Sequence, residues 1–286
     1  MLLQLDVRTL LVALFASFSL ATVCLAYVWR FTKTYEGFGI WVGAMGLISL
    51  GQFLLAGRGV LPDPVSIVGG NTVLFVGFAL LLNAGSVFLE RGPVRAWVWW
   101  ALVPVVLSFL VFTFVWPNIQ ARIVIAGVYC GGLALALATI LLLNPEEPVA
   151  QASRFTGSFV LVLAAVLLLR AGSGFFGSPS ASFFDPGNFA VVNGLIGVGI
   201  VLGLTVGIHM LNQQRLVNEL VLAHAEVKIL SGLIPICASC KNIRDDEGFW
   251  TRLETYVHAH SEAQFSHGIC PDCEARLYPE LRDEPH

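Results

Sequence analysis

The sequence predicts an all-α polytopic membrane protein with seven transmembrane helices and a small C-terminal α+β, treble-clef-like zinc module. Three observations predict it. The 286 residues are 56% hydrophobic and only 12% charged, with a mean hydropathy of +0.78, whereas about a quarter of a soluble domain is charged. Seven apolar stretches approach the roughly twenty residues that cross a bilayer. Two C-x-x-C pairs close the chain, Cys237/Cys240 and Cys270/Cys273, with 29 residues between them.

The apolar stretches run Thr9–Trp29, Phe38–Ala56, Val65–Leu89, Val94–Trp116, Ala121–Leu143, Thr156–Phe176 and Asn188–Leu211. Turn and charge signals separate them: Arg30 to Glu36, Arg58 to Pro64, Glu90 to Pro93, Pro117-Asn118, Asn144 to Pro148, and Gly177 to Gly187. Few residues part the third stretch from the fourth, so these two form a tight helical hairpin. The first stretch is too long for the apolar core of a signal peptide, and only Arg8 precedes it. It is expected to remain as a span. Residues 1–211 are therefore read as a seven-helix membrane domain, 212–230 as a helical linker, and 231–286 as a four-cysteine module.

Basic residues in the short loops set the orientation. With the C-terminus inside, Arg30, Lys33, Arg91, Arg95, Arg154 and Arg215 are cytoplasmic, against Arg8, Arg58 and Arg122 outside. The expected topology is N-terminus outside and C-terminus in the cytoplasm, where thiols stay reduced. Trp97, Trp99 and Trp100 at one end of the fourth span, and Trp116 at the other, fit interfacial belts. The glycines between Gly194 and Gly203 fit close helix packing.

Arg170 is the one ionisable residue deep within a span. Such a charge faces a bundle interior or a wet cavity, or it snorkels to the headgroups. No Asp or Glu lies within a span, which leaves Asp185 or backbone carbonyls as partners. Arg170, Arg122 and Arg58 lie toward the same face and could form a pocket for an anionic or amphiphilic ligand. Snorkelling is the competing reading.

The same inventory excludes functions. No lysine occurs between Lys33 and Lys228, so the seventh span offers no Schiff-base site for retinal. The lack of intramembrane acids disfavours proton pumps and ion-coupled transporters. No acid/base pair, nucleophile constellation or phosphate loop marks an enzyme. Residues 212–286 hold 7 Lys+Arg against 12 Asp+Glu, and this acidic balance is the wrong sign for binding nucleic acid.

After Arg215, the residues Leu216, Leu220, Ala223, Val227 and Leu230 step by fours and threes, as in a short parallel coil. That stripe suits a homodimer, or equally one amphipathic helix lying on the bilayer. The four cysteines beyond it can complete a closed thiolate tetrahedron, which reads as structural Zn²⁺. Iron, a redox-active pair and two disulfides are the alternatives. Cys24 and Cys130 sit in apolar runs and read as small core residues. His258, His260 and His267 are substitute ligands of lower rank. Between the pairs, Lys241 to Trp250 reads as a hairpin turning at Asp246-Glu-Gly248. Trp250, Leu253, Tyr256 and Val257 mark a short helix, and Pro271 opens a last helix through about Leu277.

The segment Leu230-Ser-Gly-Leu-Ile-Pro-Ile-Cys-Ala-Ser-Cys-Lys-Asn-Ile-Arg-Asp-Asp-Glu-Gly-Phe-Trp250, together with Phe265-Ser-His-Gly-Ile-Cys-Pro-Asp-Cys273, resembles an uncharacterised four-cysteine module that closes many bacterial sensor proteins. The first 211 residues resemble, more loosely, the multi-span input domains that precede diguanylate cyclases and kinases. Those catalytic outputs are absent here. The resemblance implies a non-enzymatic inner-membrane sensor whose tail contacts a cytoplasmic signalling protein. A redox or metal sensor working through the knuckle thiols, and a transporter with a regulatory tail, are the alternatives.

Overall fold

The computed structural model describes residues 7–143, 148–176, 188–230, 235–244, 248–260, 266 and 268–278. Seven of its helices are long and apolar enough to cross a membrane. They are α1 (Val7–Phe31), α2 (Phe38–Ala56), α3 (Pro64–Phe88), α4 (Ala96–Val115), α5 (Ile119–Leu142), α6 (Ala150–Phe176) and α7 (Asn188–Leu230). The protein is an all-helical polytopic chain in its first part. It divides into two compact units, Met1–Leu220 and Val221–His286.

Local chemistry sets the helix ends. Asn118 accepts a hydrogen bond from the Ala121 amide at 3.0 Å and so caps α5. Pro64 starts α3, where a missing N–H costs nothing. Pro104 has no N–H to give Trp100, and α4 is interrupted at Ala101 between Ala96–Trp100 and Leu102–Leu110. Two π-turns follow the same logic of local irregularity: Pro64–Gly69 opens α3 and Val111–Val115 ends α4. At Gly37 the backbone is left-handed (φ 88°), and a Cβ would stand 2.7 Å from the Ala84 carbonyl oxygen. Only glycine fits both demands.

Six helices close a ring. Helix α1 packs on α2, α2 on α3, α3 on α5, and α5 on α6. Helix α7 completes the circuit, meeting α6 where Gly203 faces Phe159 and Gly207 faces Thr156, and meeting α1 where Gly194 faces Leu10 and Gly197 faces Leu14. Helix α4 stands outside the ring against α3 and α5. Among its described residues only Val98 and Phe109 are buried. Interhelical hydrogen bonds supplement apolar packing: the Ser19 and Ser49 hydroxyls lie 2.7 Å apart, and the Ser153 hydroxyl donates to the Leu141 carbonyl at 2.8 Å.

Helix α7 does not stop at the membrane boundary expected at Leu211. It runs unbroken through 43 residues to Leu230. Along its exposed part, Leu216 is half-buried and Leu220 and Ala223 are exposed. The side chains of Val227 and Leu230, the other members of the expected stripe, lie outside the described residues.

In the second unit, β1 (Ile243–Arg244) pairs antiparallel with β2 (Trp250–Thr251), with Ile243 opposite Thr251 and Arg244 opposite Trp250. Helices α8 (Leu253–His260) and α9 (Pro271–Leu277) follow. The expected hairpin and both short helices are present; the turn at residues 245–247, Phe265 and His267 lie outside the described residues. The expected apolar stripe is only partly covered, since Trp250 is 53% and Leu253 42% exposed. Among the described residues of this unit, Ile243 alone is fully buried.

Packing at the α5–α6 contact gives a test. A Cβ at Gly127 would stand 2.7 Å from the Leu167 carbonyl oxygen, whereas one at Gly132 meets nothing within 4 Å. Backbone cannot swing aside as a side chain can. Gly127→Ala should cost about 1–3 kcal/mol and lower the melting temperature of the purified protein, while Gly132→Ala leaves it unchanged.

Candidate functional site

The ring encloses a partly open cavity of about 230 Å³. Every membrane helix contributes to its lining, and every contribution comes from the same end of the bundle. The N-terminal halves of α1, α3, α5 and α7 and the C-terminal halves of α2, α4 and α6 supply it. In an antiparallel ring those halves lie together, at the end opposite the one where α7 leaves the bundle.

Arg58, Arg122 and Arg170 all line this cavity. Their helices explain why. Arg58 follows the last turn of α2, Arg122 lies in the first turn of α5, and Arg170 is six residues from the end of α6. Arg122, read from the sequence as part of a possible pocket, is buried. Its guanidinium donates to the Thr113 hydroxyl at 3.4 Å, in the π-turn that ends α4. Arg122 lies within electrostatic reach of both Arg58 and Asp63. Burial pulls the Arg58 guanidinium below its ordinary value, and Asp63 opposes the shift. Arg170 lines the cavity and also keeps exposed surface. Asp185, weighed as its partner, lies outside the described residues.

Arg8, expected on the same face, and two polar groups that the sequence did not single out complete this end. Arg8 donates to the Arg58 carbonyl at 2.9 Å, a cation at the C-terminal end of α2. Gln52 and Asn71 line the cavity, and the buried Gln52 Oε1 has no hydrogen-bond partner. The remainder of the lining is apolar, with Phe18, Phe78 and Leu204 at its inner end and no acidic side chain among its described residues.

At the opposite end of the same unit, a collar grips α7 as it leaves the bundle. The Arg215 guanidinium donates to the Phe88 carbonyl at 3.0 Å, pairs with Glu90, and stacks over the Tyr35 and Phe88 rings at 5.1 Å each. Lys33 pairs with Glu219. Asn212, fully buried, donates from its amide to the Lys33 carbonyl at 3.1 Å, and Gln214 accepts from the Ala152 amide at 3.1 Å. Burial and the nearby Glu219 carboxylate push the Tyr35 phenol up to about 12, against the pull of Arg215. These contacts carry the first compact unit past the expected boundary at Leu211, to Leu220. The signal was present in the sequence as charges flanking span ends, but their pairing needed the topology.

The cysteines form two local sites. The Cys237 amide donates to the Asn242 carbonyl at 2.8 Å and the Lys241 amide to the Cys237 carbonyl at 3.0 Å, with Lys241 left-handed at φ 60°. This turn aims the backbone amides of Cys240 and Ser239 at the Cys237 sulfur, which holds its thiol below the usual range. Cys270, just before α9, is lowered in the same way, first by the Cys273 amide and then by the Cys273 thiol. Each pair thus suits a soft, thiolate-seeking ion such as Zn²⁺. Among the described residues, no three Cys, His, Asp or Glu side chains gather into one ligand set. His267 and the side chain of His260 lie outside the described residues. Cys130 is buried beside the cavity, and Cys24 is exposed.

Compared with protein-family models, with curated proteins and with solved structures, the chain matches none.

The collar can be tested directly. Arg215→Ala removes a half-buried charge-assisted hydrogen bond and two ring contacts, and should cost about 1–3 kcal/mol of stability. Arg215→Lys should recover only part of this, because an ammonium lacks the planar fork. Glu90→Gln should cost less than about 1 kcal/mol, since Glu90 is 77% exposed. Thermal melts of the three purified variants check the order.

Proposed function

We propose that this protein is a bacterial inner-membrane sensor that relays the state of its helix ring to a cytoplasmic, zinc-binding protein-interaction module. One observation carries the reading: α7 lines the cavity at one end, is gripped by the collar at the other, and continues without a break toward the tail. A helix held at both points moves as a rod, so a change in the ring is felt where the helix emerges. The excess of Lys and Arg in the loops on the tail's side supports a cytoplasmic tail. Exposed apolar side chains at Ile236, Phe249, Trp250 and Ile269 support a role in contacting a protein. The absence of acid/base or nucleophile motifs in the sequence supports a non-enzymatic role.

The relay has a direct readout. Ile200→Phe, on the cavity wall of α7, should narrow the cavity without touching the collar or the packing glycines. Hydrogen–deuterium exchange of the full chain in lipid nanodiscs should then change both at residues 194–204 and at residues 212–222. A change confined to the cavity end would overturn the relay.

Zinc in the tail is part of the same proposal. Among the described residues of this unit only Ile243 is fully buried, and domains this short lean on metal staples. The four thiolates would hold one ion as a closed tetrahedron and supply folding energy, not catalysis. The purified full chain should carry about one Zn²⁺. Cys240→Ser or Cys270→Ser should lose it and leave the tail protease-sensitive, while His267→Ala keeps it. A chain free of metal with an equally resistant tail, or disulfides between the pairs in intact cytoplasm, would refute the assignment.

A further inference from the structure

We infer that the ring cavity is a binding site for a small aromatic molecule, of one or two rings, that carries an N–H or O–H donor. Four phenylalanines from three helices line it: Phe18 of α1, Phe75 and Phe78 of α3, and Phe109 of α4. Helix α4 stands outside the ring, yet its Phe109 reaches the lining. Phe75 meets Phe109 edge-to-face at 5.2 Å and Tyr129 at 5.3 Å. Rings in this arrangement attract beyond what their buried area supplies, so a planar occupant extends the cluster. Arg122, buried on the same wall, supplies a cation, and cations favour the faces of electron-rich rings.

The volume sets the size. An apolar cavity of ~150 Å³ holds benzene, and ~300–1,000 Å³ suits drug-sized ligands. The cavity here, about 230 Å³, lies between them. Filled as benzene fills its cavity, it takes about nine non-hydrogen atoms. That is one ring with a short substituent, or two small fused rings. A long acyl chain is excluded by the same comparison.

The polar lining selects the donor. The Gln52 Oε1 is buried on the cavity wall, and no group among the described residues donates to it. The Asn71 amide nitrogen, also on the wall, already donates to the Ile67 carbonyl at 2.7 Å. Guanidiniums only donate, so Arg122 cannot receive a ligand N–H or O–H, whereas the Gln52 carbonyl can. A buried acceptor left without a donor is costly, which favours an occupant with a donor over the same shape without one. Ile200 and Leu204 of α7 line the cavity, so an occupant also rests against the helix that leaves the bundle. As the sensor's input, this ligand rests on the function proposed above; binding itself does not.

The probe is fluoroindole, followed by fluorine NMR with the full chain in phosphatidylcholine nanodiscs, and empty nanodiscs give the baseline for partition into lipid. Binding should saturate near one molecule per chain. Indole should displace the probe about tenfold better than indene, the same ring system without the N–H. It should also outcompete cyclooctanol, a saturated alcohol of the same size. Gln52→Leu should remove the preference of indole over indene while still binding both. Ile200→Phe should abolish saturable binding, whereas Leu202→Phe, on an exposed site of α7 off the cavity, should leave it unchanged. Uptake no greater than in empty nanodiscs, equal displacement by indole and indene or by indole and cyclooctanol, or an unaltered preference in Gln52→Leu would overturn the assignment. Saturable, donor-selective binding with no exchange response at residues 212–222 on adding indole would instead confirm the site and refute the relay.

Discussion

The ring depends on the close approach of α7 to two neighbours at once. Gly203 and Gly207 admit the Phe159 and Thr156 side chains of α6, and Gly194 and Gly197 admit Leu10 and Leu14 of α1. At Gly203 a Cβ would stand 2.3 Å from the Phe159 ring, so a larger residue holds the helices apart. Between helices in lipid there is no hydrophobic driving force, and close contact is what binds them. Without these contacts α7 leaves the circuit, and the space inside the ring becomes a lipid-exposed groove. The cavity is thus a consequence of glycine placement on the last membrane helix.

That helix also has to leave the bilayer, and its exit is not held by apolar packing alone. Asn212, Arg215 and Glu219 recur at steps of three and four residues, which puts them on one face of the helix. The partners are the α1–α2 loop through Lys33 and Tyr35, and the end of α3 through Phe88 and Glu90. Gly37 lets the α1–α2 loop lie against Ala84 and Phe88, so the loop and the end of α3 form one surface for Arg215. A single guanidinium then reads two rings, a carbonyl and a carboxylate. Surface ion pairs by themselves stabilise little, but Arg215 is half-covered and fixed by the rings. The grip is therefore directional as well as attractive.

Much of the membrane part was legible in the sequence, because hydropathy and length report directly on the bilayer. The second span, Phe38–Ala56, coincides with α2 residue for residue. The ends of α6 and α7 were less legible. Helix α6 begins at Ala150, six residues before the expected Thr156: Thr156 turns its hydroxyl back onto the Ala152 carbonyl, and Ser153 donates across to the Leu141 carbonyl of α5, so both polar side chains are satisfied inside the bundle. Helix α7 outruns its apolar stretch because Asn212 to Glu219 find partners that only the fold provides. The arginines, and the face they share, were legible from the alternation of the spans, but the partner that Arg122 finds was not. That required the fold, which brings its guanidinium to Thr113 in the π-turn that ends α4. In the tail, the hairpin and both helices followed from turn residues and Pro271. The place of Trp250 did not, because it lies in β2, paired with Arg244, and does not join the helix face that its spacing suggested.

The two ends of α7 differ in what can move. At the cavity end its contacts are glycine against leucine and phenylalanine side chains, which shift by rotamer changes of low cost. At the collar its contacts are hydrogen bonds to backbone carbonyls and stacked rings, which hold one geometry. In the relay proposed above, a displacement introduced at the soft end would be passed along the helix toward the stiff end, where Leu220 is exposed. The placement of a compliant contact over the cavity and a rigid one at the exit is the arrangement that a lever requires. It follows from which residues the sequence puts on α7: small and apolar before Leu211, polar and charged directly after it.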